Sequence, residues 1–335
     1  VPMMDSYHLP KEERDKFEHV NDNPIKQVAT DPVSTFSLDV DTGSYALVRQ
    51  FIQQGRLPAS DAVRVEELIN YFSYQYPKAT GQHPFASETE LSTAPWQSEH
   101  YLLRIGVQAQ DVHVSAMPPA NLVFLVDVSG SMDEPNKLPL VISSLQMLTQ
   151  QLRPQDKVSL VVYAGRTEVV LEPTAGNKKA DIQAALGRLQ AGGSTAGTSA
   201  LALAYKMARK GYVANGINRI LLATDGDFNV GVTDTHQIKD MVKRERESGI
   251  TLSTLGFGQG NFNDAMMEQI ADVGNGNYSY IDSLNEARKV LVDELSSTFN
   301  TVAKDVKVQI EFNPNVVAEY RLIGYENRQL NREDF

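Results

Sequence analysis

The chain has 335 residues, 41% of them hydrophobic and 22% charged, a composition typical of globular proteins with a buried core. Its 42 acidic residues outnumber the 31 basic ones, and a net charge of −11 argues against nucleic acid as a partner, because phosphate binding needs a basic surface. The absence of cysteine excludes disulfides and cysteine-ligated zinc, and no apolar run is long enough to span a bilayer.

The first part of the chain divides into a polar arm and a mixed region of strands and helices. We expect residues 1–30 to form the arm, with one short helix, because charged residues dominate it. Residues 31–118 form an amino-terminal flanking region. In it Phe36, Leu38 and Val40 alternate with polar residues, which predicts a half-buried strand. Two helices and two further strands are predicted after this strand.

Residues 119–300 alternate regularly between strands and helices. We predict strands at 121–127, 157–164, 167–172, 218–224, 250–257 and 277–281, and helices at 137–152, 178–190, 198–212, 235–248, 262–273 and 284–300. This alternation predicts a Rossmann-like α/β domain, with a mostly parallel six-stranded sheet covered by helices on both faces. A short connection at Gly165 and Arg166 permits a hairpin but no crossover, so one edge strand should be antiparallel.

Residues 301–335 return to strand-like sequence. We predict strands at 306–312 and 316–325, joined by a turn at Asn313-Pro314-Asn315. Together with the amino-terminal flank, they should form a smaller β-rich domain into which the α/β domain is inserted. We also expect the sequence to be part of a longer protein, because no basic and apolar leader opens it and no closing element follows its last strand.

Three loops of the α/β domain carry oxygen ligands. The first is Asp127-Val128-Ser129-Gly130-Ser131, the second spans 192–197 and the third spans 224–227. If the strands that precede the first and third loops are neighbours where the strand order reverses, Asp127 and Asp225 face each other across a crevice. Open α/β sheets bind ligands in such a crevice. Carboxylate and hydroxyl oxygens are ligands that hard divalent cations prefer.

In this order and spacing, the Asp-x-Ser-x-Ser turn, the Gly-Gly-x-Thr loop and the Thr-Asp-Gly turn resemble the metal-ion-dependent adhesion site of von Willebrand factor type A domains. The resemblance covers residues 119–300. It implies a divalent cation, with Mg²⁺ as the first choice and Mn²⁺ or Ca²⁺ as alternatives. Thr198 is the alternative to Thr195 as the threonine ligand. The implied metal ligands are Asp127, Ser129, Ser131, Thr195 and Asp225.

The amino-terminal flank carries a narrower resemblance. The segments at 34–45 and 64–72 are similar to bacterial A-domain proteins of the cell envelope, which have additional regions on both sides of the A domain. Such relatives are commonly exported, often as lipoproteins. The resemblance therefore implies a protein of the periplasm, or one held to a membrane by a lipid anchor that precedes the given sequence.

The chemistry of the three loops predicts a protein-binding module for adhesion or assembly and not an enzyme. Serine hydroxyls are neutral, so a bound cation keeps much of its charge and attracts an Asp or Glu carboxylate from a partner protein. One alternative is a metal-assisted hydrolase with Asp133, Glu134 or Asp227 as general base. Another is a scaffold with a purely structural site. Ser131 and Glu134 also fit a helix capping box.

Two further residues carry expectations from the sequence. Asp41 follows a predicted strand and could hold calcium together with Asp39, but a solvated turn is favoured for this pair. Trp96 is the only tryptophan, and we expect it to pack in the core or between domains.

Overall fold

The computed structural model describes residues 15–38, 40–80, 83–110, 112–193, 198–226, 235–260, 262–295, 299, 302–303 and 306–335. Its strands are β1 (Lys26–Gln27), β2 (Val33–Ser37), β3 (Phe85–Thr93), β4 (Tyr101–Ala109), β5 (Ala120–Asp127), β6 (Lys157–Tyr163), β7 (Thr167–Ala175), β8 (Ile217–Thr224), β9 (Thr251–Gly256), β10 (Tyr278–Tyr280), β11 (Lys307–Glu311), β12 (Glu319–Tyr320) and β13 (Gln329–Leu330). Its α-helices are α1 (Gly43–Gln53), α2 (Val65–Asn70), α3 (Leu138–Gln151), α4 (Lys179–Leu186), α5 (Thr198–Gly211), α6 (Thr235–Glu247), α7 (Asp264–Val273) and α8 (Leu284–Arg288). None of the helices in these ranges is long and apolar enough to cross a membrane.

The central sheet has six strands in the order β10-β9-β8-β5-β6-β7. Neighbouring strands are parallel except for β6 and β7, which pair antiparallel at one edge. The connection between β6 and β7 is too short to carry the chain across the sheet, so it reverses direction. The structure thus confirms the predicted mostly parallel sheet with one antiparallel edge strand.

Strand β5 lies at the centre of the sheet and is buried along its whole length. Leu122 and Phe124 pack on one face, in a cluster that includes residues of α3, α4 and α8. Val123 and Leu125 pack on the other face with residues of α5, α6 and α7. Because helices cover both faces, the strand is continuously apolar from Leu122 to Val126, the residue before Asp127.

The strand order reverses between β5 and β8. From β5 the chain passes to β6 and β7 on one side, and then to β8, β9 and β10 on the other. Val126 of β5 pairs with Ala223 of β8, so the residues that follow both strands meet at the same edge of the sheet. This is the crevice that the sequence predicts as a ligand site.

The two flanks share small antiparallel sheets. Strand β2 pairs with β11 on one side and with β13 on the other, and β1 pairs with β12. Strands from both sides of the α/β domain are therefore hydrogen-bonded to each other, as the predicted insertion requires. Strands β3 and β4 form a separate hairpin, in register from Phe85 opposite Ala109 to Thr93 opposite Tyr101.

The predicted strand at 316–325 is wrong in its extent. Only Glu319–Tyr320 is a strand. Before it, the turn extends to Val317, whose N–H donates to the carbonyl of Asn313, and after it Gly324 and Tyr325 have φ values of +78° and +55°. This left-handed conformation turns the chain out of a strand. After the turn, Gln329–Leu330 joins β2 as an additional strand.

The expectations for Trp96 and Asp41 are also wrong. Trp96 lies in the connection between β3 and β4, and it is 64% exposed. Asp41 is buried, and its Oδ1 accepts a hydrogen bond of 2.8 Å from the backbone N–H of Tyr278. It therefore connects the flank to β10. Asp39 lies outside the described residues.

The amino-terminal flank packs on the β10 edge of the α/β domain. Helix α1 contributes part of a shared apolar cluster, which comprises Ala46, Leu47, Phe51, Ala62, Phe262, Met267, Ala271, Tyr278 and Tyr280. Beside this cluster, the buried guanidinium of Arg64 contacts Glu67, Asp264 at 2.5 Å and Glu268 at 3.6 Å. Burial raises the pKa of Glu268 to about 7, although the charge of Arg64 opposes this rise.

We expect Glu268→Gln to reduce the loss of stability between pH 5 and pH 8. The pKa of Glu268 is about 7 in the folded protein, against an ordinary value of 4.5. The contribution of its protonated carboxyl to folding stability is therefore fully present below pH 4.5 and is lost as the pH rises to 7. Relative to wild type, the variant should gain about 1–3 kcal/mol in free energy of unfolding over this interval. Urea unfolding at several pH values measures it. Asp272→Asn, at a half-exposed carboxyl of the same helix, is the control, and parallel curves for Glu268→Gln and wild type would contradict the expectation.

Candidate metal centre

Asp127 ends strand β5 with both carboxylate oxygens held by donors. The backbone N–H of Ser129 donates to Oδ1 at 2.8 Å, and the hydroxyl of Thr224, the last residue of β8, donates to Oδ2 at 3.0 Å. The side chain is fully buried. The carboxylate thus has a fixed orientation in the crevice between the two strands.

Ser129 and Ser131 place two hydroxyl oxygens side by side. Their Oγ atoms are 3.0 Å apart. The capping-box alternative is wrong, because α3 begins only at Leu138 and its first turn has no side-chain cap. The short 3-10 helix Gly130–Met132 also has no side-chain cap from Ser129, so neither serine has the helix-capping role.

The electrostatics of the crevice are those of two buried carboxylates. Burial raises the pKa of Asp127 to about 6, and the charge of Asp225 adds to the rise. Hydrogen bonds from Ser129 and Thr224 act in the opposite direction. Because the two acids repel each other in a medium of low dielectric constant, a cation placed between them would be strongly favoured.

The third loop brings Asp225 next to a lysine. Asp225 is fully buried, and its Oδ2 accepts a hydrogen bond of 3.0 Å from Nζ of Lys137. Gly226 follows with a φ of +88°, and its N–H donates to Oγ1 of Thr224 at 3.1 Å. A Cβ atom at Gly226 would lie 2.3 Å from the backbone nitrogen of Asn263, so this position requires glycine.

Gly192 and Gly193, at the start of the second loop, are hydrogen-bonded to the first loop. The N–H of Gly192 donates to the carbonyl of Val128 at 2.8 Å, and the N–H of Gly130 donates to the carbonyl of Gly193 at 3.0 Å. Thr195 lies outside the described residues. Thr198 is the first residue of α5, but its side chain is likewise outside the described part. The structure therefore brings Asp127, Ser129, Ser131 and Asp225 to one crevice, and it places Gly192 and Gly193 of the second loop beside the first loop.

The donor set fits a hard divalent cation. Two ligands at right angles around Mg²⁺, each at about 2.1 Å, are about 3.0 Å apart. The Oγ–Oγ distance of Ser129 and Ser131 matches this spacing. Across the described residues there is no cluster of three or more His, Cys, Asp or Glu side chains suited to a metal. The candidate site instead combines carboxylates with neutral hydroxyls.

Two residues of this site were missed in the sequence. Thr224 belongs to the Thr-Asp-Gly turn, but the pattern gave no reason to expect its hydroxyl to hold Asp127. Lys137 is 3% exposed and contacts Asp225, although no motif includes it. A lysine six positions after Ser131 is indistinguishable from a surface lysine in a single sequence.

Comparison with known families agrees with this architecture. Residues 121–294 match the von Willebrand factor type A domain, residues 11–104 match a family described as von Willebrand factor, and residues 297–335 match the C-terminal family of the uncharacterized protein YfbK. The A-domain match covers more than half of the sequence. The chain therefore belongs to the von Willebrand factor type A domain family.

Individual relatives extend the comparison. The uncharacterized protein YfbK of Escherichia coli (strain K12) is 54% identical over 327 residues, which cover 96% of this chain and 57% of that protein. The uncharacterized protein sll0103 of Synechocystis sp. is 34% identical over 185 residues, covering 55% of this chain and 43% of its own length. The chain spans about half the length of these curated relatives.

Two solved structures are similar to parts of this chain. A von Willebrand factor type A protein from Catenulispora acidiphila has a TM-score of 0.49 at 19% identity, over 67% of this chain and 52% of that one. The conserved hypothetical protein BatB from Bacteroides thetaiotaomicron has a TM-score of 0.46 at 21% identity, over 53% of this chain and 98% of that one.

We expect Thr224→Val to lower the free energy of unfolding by about 1–3 kcal/mol, because it leaves a buried Asp127 oxygen and the Gly226 N–H without their partner. Mg²⁺ affinity should also fall by about tenfold, since Asp127 loses the donor that orients it. Urea unfolding and calorimetric titration measure the two effects. Thr224→Ser retains the hydroxyl and should behave nearly as wild type, so equal losses in both variants would contradict the assigned role.

Proposed function

We propose that this protein is a divalent-cation-dependent protein-binding module whose partner presents an Asp or Glu carboxylate. One observation carries the proposal. Two serine hydroxyls, spaced like adjacent ligands of Mg²⁺, lie next to a buried carboxylate whose two oxygens are already oriented by donors. Membership of the A-domain family supports the same interpretation.

In this proposal each residue has a distinct role. Asp127 provides the anionic ligand of the first loop, and Ser129 and Ser131 provide neutral oxygens. Asp225 acts directly or through water, and Thr195 or Thr198 supplies the hydroxyl of the second loop. Neutral hydroxyls do not cancel the charge of a cation, so a bound ion would supply the positive charge that a partner carboxylate completes.

The metal and the location are parts of the same proposal. Oxygen ligands at a spacing of 3.0 Å favour Mg²⁺, with Mn²⁺ or Ca²⁺ as alternatives. A place in the bacterial cell envelope, in the periplasm or as a lipid-anchored protein, is supported by the resemblance of the amino-terminal flank. Fractionation of cells that express the full-length protein tests the location.

The hydrolase alternative has less support. Of its candidate bases, Asp133 is exposed, Glu134 is half-buried and Asp227 lies outside the described residues. A general base needs a position within hydrogen-bond reach of the reacting water. The exposure of Asp133 therefore argues against a base that is held in the buried crevice.

We expect Asp127→Ala to abolish Mg²⁺ binding in calorimetric titration, with a loss of affinity of at least about a hundredfold, because it removes the oriented anionic ligand. Binding of a probe peptide with a single internal Glu to the Mg²⁺-loaded protein should be lost with the metal and after EDTA treatment. Asp181→Ala, at an exposed position of α4, is the matched control.

Circular dichroism should show that Asp127→Ala remains folded. Normal Mg²⁺ and peptide binding by this folded variant would overturn the proposed function. Hydrolysis of a phosphoester or peptide by wild type that is lost in Asp133→Ala would favour the enzyme alternative.

A further inference from the structure

Lys137 is a buried cation at the candidate metal centre. It precedes α3 and is 3% exposed. Its Nζ donates to Oδ2 of Asp225 at 3.0 Å and to the backbone carbonyl of Ser131 at 3.0 Å. The ammonium group therefore connects the first loop, which carries Asp127, Ser129 and Ser131, to the third, which carries Asp225.

A glycine in the loop after β9 leaves space for the side chain of Lys137. Gly258, in the loop after β9, has a φ of +73°, and a Cβ atom there would lie 2.5 Å from Cε and 2.6 Å from Cγ of Lys137. The carbonyl of Gly258 is itself fixed by a hydrogen bond of 2.6 Å from the hydroxyl of Tyr280. The loop after β9 thus packs directly on the aliphatic stem of Lys137, which holds the ammonium group in place.

A buried cation at this point changes the charge of the site. The carboxylates of Asp127 and Asp225 would together neutralise a divalent cation completely. With the ammonium of Lys137 beside Asp225, these three groups have a formal charge of −2 + 1 = −1. A bound divalent cation then leaves a net charge of +1.

We infer that Lys137 sets the balance between metal affinity and partner affinity. Its ammonium cancels one unit of the site's negative charge, so a bound metal keeps one unit of positive charge for a partner carboxylate. The inference rests on the proposed function. It assigns Lys137 as a positioning residue for Asp225 that touches neither the metal nor the partner. It also explains why a cation is buried next to a site built to bind another cation.

This role makes a prediction with two effects of opposite sign. In Lys137→Met, the repulsion between the ammonium and the metal disappears, so Mg²⁺ should bind about tenfold more tightly. The loaded site is then neutral, so a carboxylate should bind about tenfold more weakly. A merely structural lysine would weaken both when replaced, because the loops would lose their arrangement.

The test uses the whole chain and two simple probes. Mg²⁺ alone is titrated by calorimetry, and acetate is titrated into Mn²⁺-loaded protein, with its binding followed by the relaxation of water protons. Lys137→Arg keeps the charge and should remain within about threefold of wild type on both measurements. Lys157→Met removes the same charge at the amino end of β6, whereas the crevice lies at the carboxyl ends of the strands, so this variant should change neither measurement.

Tighter Mg²⁺ with weaker acetate in Lys137→Met supports the inference, and Lys137→Gln replaces this variant if it does not fold. Weakening of both ligands, or no change in either, overturns it. If wild type itself binds no Mg²⁺, the proposed function fails as well. If wild type binds Mg²⁺ and acetate but Lys137→Met and Lys137→Gln both match it, this inference alone fails.

Discussion

The hydrogen bond between Thr224 and Asp127 joins the two strands on which the rest of the domain depends. Burial of a carboxylate at the end of a strand is costly unless donors satisfy its oxygens. Here the donors come from the turn that follows β5 and from the end of β8. The two strands that flank the reversal of strand order are therefore connected at their carboxyl ends as well as along their length. This connection fixes the points at which the first and third loops begin.

Charge is handled differently in the crevice and at the junction with the flank. At the junction, Arg64 is surrounded by the carboxylates of Glu67, Asp264 and Glu268, and Arg49 contacts Asp282 at 2.6 Å and Glu286 at 2.9 Å. These arginines neutralise acids within the chain. In the crevice, Lys137 contacts Asp225, whereas the pKa of Asp127 stays raised by burial and by the charge of Asp225. Additional positive charge is therefore favoured in the crevice beside Asp127.

Sequence reasoning succeeded where a pattern has one physical explanation. The continuous apolar run that ends at Asp127 predicted a strand buried on both faces, and the short connection around Gly165 predicted an antiparallel edge. It failed where the outcome depends on distant partners. Asp41 is buried because the N–H of Tyr278, far along the chain, needs an acceptor. Lys137 is buried because Gly258 leaves space for it. Neither partner can be found from local pattern.

The loop after β9 joins these two parts of the structure. On one side it contacts the amino-terminal arm and the flank: Asp15 of the arm accepts hydrogen bonds from the N–H groups of Gly260 and Phe262, at 2.9 and 2.8 Å. Phe262 also lies in the apolar cluster shared with α1.

On its other side the same loop contacts the crevice. Gly258 packs on the stem of Lys137, and Gly226 approaches Phe262 so closely that a Cβ atom at Gly226 would lie 3.0 Å from its Cα. The loop that the flank holds is therefore the loop that supports both Lys137 and the turn of Asp225. Since close-packed contacts transmit displacement with little loss, the flank is part of what fixes the geometry of the candidate metal centre.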